Sequence, residues 1–144
     1  MTELIYTKIN EKIRESIEKV DRIKEIYSYP ATDIRAYPSV VFYPSDFNNI
    51  FQTNEENFQT KGYKMFIIVS GEQKDKETIF DTILAKSVDS VINQLAEDWD
   101  IGTIDGHRAW LQIEGGNWGM GQEQNGIEAW AEFNLTIKLL TNNN

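Results

Sequence analysis

An α+β fold, with a mainly antiparallel β-sheet packed by an N-terminal helix and a long central helix, is the class that this sequence predicts. Two stretches place apolar residues at helical spacing, one within the first twenty residues and one between Ile79 and Leu95. The segments between and after them read as strands, ending in the alternating run IEAWAEFNLTIKLL.

Ile5, Ile9, Ile13, Ile17 and Val20 recur at steps of three and four, an arc of about 120° at the helical period. Glu15 and Lys19 add an acid-before-base pair four residues apart on the solvent side. Ile23 and Ile26 either continue this helix or begin a strand RIKEIYSY, and Pro30 stops either one.

Next, SVVFY lies between Pro38 and Pro44. Proline is tolerated at the start or on the edge of a sheet, so the two prolines predict a short edge strand from Ser39 to Tyr43. Its unbroken apolar character predicts cover on both faces and makes Val41 and Tyr43 candidate interface residues. The polar stretch 45 to 62 reads as a loop or a long hairpin, and YKMFIIVS as a buried strand ended by Gly71 and a charged turn.

The central helix is expected from about Asp75, as N-cap, to about Glu97. Its apolar residues, from Ile79 and Phe80 to Ile92 and Leu95, span about 220°, twice the stripe needed to pack on one sheet. A second covering surface is therefore expected. Turns follow at Gly102 and Asp105-Gly106, then a strand near Arg108 to Glu114, and GGNWGMGQ is expected to form a flexible hairpin tip. In the last strand Ile127 to Leu139 alternate with a polar face that carries Trp130. At about 3.3 Å per residue those thirteen residues would reach roughly 40 Å, so the strand is expected to bend or to project toward another subunit.

The 144 residues suit a single domain, 1 to 144, and no apolar run approaches the roughly 20 residues of a membrane helix. The charged N-terminus is unlike a secretory signal, which predicts that the chain stays in the cytoplasm where it is made. With no cysteine, disulfide and thiolate chemistry are excluded. The net charge is −9, and residues 2 to 26 balance six acids with six bases, so the excess lies wholly downstream. No basic stripe exists to grip nucleic acid.

Asp98, Asp100 and Asp105 superficially suggest a calcium loop, but Gly102 and Ala109 stand where further ligands belong. His107 is the single histidine, so a histidine pair for zinc cannot form within one chain. The glycine-dense loop ends in no lysine or helix that would complete a phosphate cradle. No catalytic, metal or cofactor residue is expected, and the chain is not expected to be an enzyme. Trp118 and Met120 in the glycine-rich segment, and Trp130 between Glu128 and Glu132, are costly to leave in water and are candidate anchors for a partner.

The order of helix, proline-started strand AYPSVVFYP, polar arm, strand YKMFIIVS, charged turn, long helix ETIFDTILAKSVDSVINQL, glycine-broken loop and final strand resembles the tail terminator proteins of long-tailed bacteriophages, over nearly the whole chain. The resemblance implies a virion protein of the tail or neck, assembled in the host cytoplasm as a hexameric ring on the tail tube. Such a ring stops tube polymerisation and meets a head-completion or connector protein. It also implies that DNA passes through without specific binding and that no covalent chemistry is done. A head-completion protein or a tail tube subunit is the close alternative, and an acidic inhibitor that mimics nucleic acid is the alternative from another class.

Overall fold

The computed structural model describes residues 5–51, 56–71, 78–123 and 126–142. The elements are α1 (Ile5–Glu18), β1 (Glu25–Tyr27), β2 (Ser39–Phe51), β3 (Glu56–Gly71), a π-helical segment (Thr78–Leu84), α2 (Ala85–Glu97), β4 (Asp100–Ile104), β5 (His107–Glu123) and β6 (Gly126–Asn142). Among the described residues the six strands form one mixed sheet in the order β1-β2-β3-β6-β5-β4. The β1–β2 pair is parallel and the other four pairs are antiparallel.

Alternation along the inner strands decides what each face does. Tyr63, Met65, Ile67 and Val69 of β3, and every second residue of β6 from Ala129 to Leu139, are buried beneath the helices. The stripe of Ile9, Ile13 and Ile17 on α1, together with Val88, Val91 and Leu95 on α2, completes one core on this face. The intervening strand residues, such as Lys64, Phe66 and Ile68, form the opposite face, away from the described helices, and are half-buried.

The broad apolar surface of the central helix is covered within the chain. Ile79, Leu84, Val91 and Leu95 are fully buried, while Phe80, Ile83 and Ile92 pack partly buried against the core. The sheet takes one side of the helix and α1 another. Its width is therefore no sign of a missing subunit. Thr78 to Leu84 wind as a π-helix rather than an α-helix, and the expected cap at Asp75 lies outside the described residues.

Three further expectations are corrected. Pro44 does not end β2, because no described strand lies outside β2 there and a missing N–H on that side leaves no ladder bond unmade. The register slips between Pro44 and Asp46, and pairing with β3 resumes to Phe51, so the polar arm is a long hairpin whose residues 52–55 are not described. GGNWGMGQ is not a hairpin tip but the second half of β5, paired with β6 from Gly116 to Glu123 after a register shift between Ile113 and Gly116. The overlong β6 does not project from the sheet, because β3 and β5 flank it along nearly its whole length.

Elsewhere the local signals hold. RIKEIYSY supplies the short strand β1. Between β4 and β5, Asp105 and Gly106 have φ of 53° and 81°, the positive values that a type I′ turn requires at both central residues.

Candidate interaction surface

The register brings three of the five candidate residues together. Trp118 pairs with Ala131, Gly119 with Trp130 and Met120 with Ala129, so Trp118 and Met120 lie on the helix-side face of β5 and Trp130 on the opposite face at the same height. A Cβ on Gly119 would stand 2.4 Å from Cε2 and Nε1 of Trp130, so the absence of a side chain lets the indole lie flat over β5. Trp118 is 55% exposed. The two indoles thus flank both faces of one strand.

That strand is open on its outer side. β4 pairs only with the start of β5, between His107 and Trp110, and the Leu111 N–H donates to the Trp99 carbonyl at 2.8 Å. From Gln112 to Glu123 no described strand pairs with the outer margin. An unpaired strand of this length offers a row of N–H and C=O groups to another chain unless it is blunted by proline, charge or a bulge. This segment has no proline or lysine, and beyond its register shift between Ile113 and Gly116 the strand pairs with β6 without a further break.

At the other end of the sheet β1 covers only Ser39 to Val41, so no described strand pairs with the outer side of β2 from Phe42 onward, where Tyr6 of α1 lines a hollow with Pro44 to Phe47. Here Pro44 and the adjacent bulge blunt the margin. Tyr43 stacks on Phe66 with ring centroids 6.1 Å apart, on the sheet face away from the described helices. Val41 lies on that face too but is only 3% exposed, so the structure does not offer its side chain to a partner. Tyr37, just before β2, reaches across this face to Glu128 of β6 through a 3.2 Å hydrogen bond.

The polar clusters are structural ties. Asp98, after α2, accepts hydrogen bonds from Gln94 Nε2 at 2.9 Å, Ser16 Oγ at 2.7 Å and Lys19 Nζ at 3.0 Å. The bonds from Gln94, then Ser16 and Lys19, hold its carboxyl below the usual carboxylate value. The cleft beside it, about 160 Å³, is walled by this α1–α2 tie. Asp100 pairs with Arg108 at 2.9 Å and accepts from the Gly102 N–H at 3.0 Å, while Asp105 pairs with Lys8. The three aspartates are thus engaged separately, and no group of three metal-ligating side chains converges among the described residues.

Tyr63 donates to Asn10 Oδ1 at 2.7 Å, and burial pushes its phenol well above the ordinary tyrosine value. Lys61 Nζ sits 5.1 Å from the ring centroid of Tyr6 and 5.8 Å from that of Phe47. His107 opens β5 opposite Ile104. No described helix is long and apolar enough to cross a membrane.

Sequence reasoning missed the open margin of β5, because glycines read as a loop until their pairing with β6 is seen. The alternation of Trp118 with Gly119 and Met120 with Gly121 was the available signal. No family model matches the sequence, and no curated protein matches it.

Proposed function

We propose that the chain is a ring-forming structural subunit of a bacteriophage tail, seated at the head-proximal end of the tail tube. There it stops tube polymerisation and joins the tail to a head-completion or connector protein. The observation that carries this reading is the pair of open margins on opposite sides of one sheet, β5 beyond Leu111 and β2 beyond Val41. A subunit with two unlike margins adds to its neighbour head to tail, and such addition produces a ring when the rotation closes.

A small α+β subunit, its mainly antiparallel sheet packed by an N-terminal and a central helix, is the build expected of the tail terminator proteins that the sequence resembles. A hexamer is the ring size that the resemblance implies. At −9 per subunit the ring repels the DNA phosphates, so a genome passes its bore without specific binding. This role needs no cofactor and no covalent chemistry.

The test is to add the purified chain to polymerising tail tube protein and measure tube length and tube ends by electron microscopy. Arrested tubes carrying a ring at one end are expected. Tubes of unaltered length with bare ends refute the terminator role, and binding to the connector alone transfers the chain to head completion.

A further inference from the structure

The two margins of the sheet are stepped, and the steps are complementary. On one side β1 covers only the start of β2, on the other β4 covers only the start of β5, and α1 packs against both β1 and β4. The register can be followed across the whole sheet. Val41, beside Tyr27 of β1, pairs with Phe66, Phe66 with Glu132, and Glu132 with Asn117. The height of β1 therefore falls inside the recess of β5. In the other direction Thr103 of β4 pairs with Arg108, and the same height continues through Leu140 and Phe58 to Ile50. The height of β4 falls inside the recess of β2.

The exposed apolar side chains follow the same margins. Among the described residues the exposed large apolar side chains are Tyr29, Phe47, Trp99 and Trp118. Tyr29 follows β1 and Phe47 lies in the β2 recess; Trp99 precedes β4 and Trp118 lies in the β5 recess. Phe47 pairs with Lys61, Lys61 with Ile137 and Ile137 with Leu111, whose N–H is bonded to Trp99. Phe47 and Trp99 thus stand at one height on opposite margins, and Trp118 stands at the height of Ile26, three residues before Tyr29.

From these steps and this placement we infer that a second copy of the chain docks laterally, its β1 seated in the β5 recess of its neighbour while the neighbour's β4 enters its β2 recess. The inference rests on reading the chain as a ring subunit and names the joint that such a ring uses. Strand directions make the β1–β5 contact antiparallel and the β4–β2 contact parallel. The joint covers Tyr29 with Trp118 and Phe47 with Trp99. Arg14 already donates to the Ile26 carbonyl at 3.0 Å, so pairing draws on the remaining backbone groups of β1 and on the chain after it.

Charge favours this joint over two β5 margins paired with each other. The β5 recess carries Glu114 and no base among its described side chains, so self-pairing brings no compensating charge. Around β1 the bases Arg22, Lys24 and Arg35 are balanced by Asp21, Glu25 and Asp33. The recess, twelve residues or about 40 Å long, exceeds the three residues of β1 and so leaves room for the stagger that closing a ring demands.

The chain has no cysteine, so introduced pairs report one contact each. Tyr27→Cys is combined in turn with Gly115→Cys, Asn117→Cys and Gly121→Cys, positions where a Cβ is tolerated or a side chain is already exposed. Phe47→Cys with Trp99→Cys reads the second step and touches no core residue. After mild oxidation, a reducible ladder extending beyond the dimer is expected for at least one β1–β5 pair and for the Phe47–Trp99 pair, with single variants stopping at the dimer or below. A ring seen by electron microscopy with no ladder from any pair overturns this joint but leaves the ring. A chain that stays monomeric overturns both, and a strong dimer from Asn117→Cys alone replaces the joint with β5 self-pairing.

Discussion

Replacing Gly116 by alanine, beside the same change at Gly115, tests whether the glycine-rich segment is a paired strand. A Cβ on Gly116 would lie 1.9 Å from the Glu132 carbonyl oxygen and 2.6 Å from Cα and Cβ of Phe133, while one on Gly115 meets nothing within 4 Å. Two of the three obstacles at Gly116 are backbone atoms of β6, so no side-chain rotation relieves the clash and β5 must move. Overpacking of this kind costs about 1–3 kcal/mol, and the fixed backbone places it near about 3. For a chain of this length that lowers the melting temperature by about 6–12 °C. Gly115→Ala, free of contacts, stabilises by about 0.4–1 kcal/mol through the unfolded chain. Urea denaturation of both variants at one protein concentration reads the difference, since any assembly adds its own stability. Equal shifts at the two positions refute the pairing of β5 with β6 through the glycines.

Three other outcomes are expected. Because Asp98 is held below its ordinary value, its stabilising contribution is fully present above an unfolded carboxylate pKa of about 4 and is lost as pH falls through the folded value. Asp98→Asn therefore flattens the fall of unfolding free energy on acidification, and a variant with the same acid dependence as the parent contradicts the tie to Gln94, Ser16 and Lys19. Leu95→Ala, at a fully buried site in α2, lowers stability by about 2–5 kcal/mol in chemical denaturation, and a loss under about 1 excludes its place in the core. Tyr63, neutral and buried, is expected to ionise only as the protein unfolds in alkali, its stabilisation being present below pH about 10 and lost as pH rises through the raised folded value. Ultraviolet titration showing the same folded-state phenolate signal in the parent, but not in Tyr63→Phe, contradicts this burial.

The helices were legible because their apolar spacing is local information: Ile9, Ile13 and Ile17 point one way whatever lies beneath them. The alternation of β6 was equally plain, and all its inner residues from Ala129 to Leu139 are buried. What the sequence concealed was pairing. Pro44 looks like a strand end until β2 proves to have no described strand outside it there, and Gly115 and Gly116 look like a loop until the register shift beside them is seen. Likewise the wide apolar surface of the central helix and the length of β6 suggested another subunit, yet α1 covers the first and β3 and β5 flank the second. Of the candidate residues, Trp118, Met120 and Trp130 meet at one margin, Tyr43 lies elsewhere, and Val41 is buried. Their convergence depends on which residue of β5 stands opposite which of β6, a property of the whole sheet.

The central claim is that copies of this chain close upon themselves, and native mass spectrometry of the purified protein across a range of concentrations tests it most directly. One discrete oligomer, with six subunits as the expected number, is predicted to grow in at the expense of the monomer as concentration rises. A monomer at every concentration, or an unbounded series of masses with no closed species, contradicts the account.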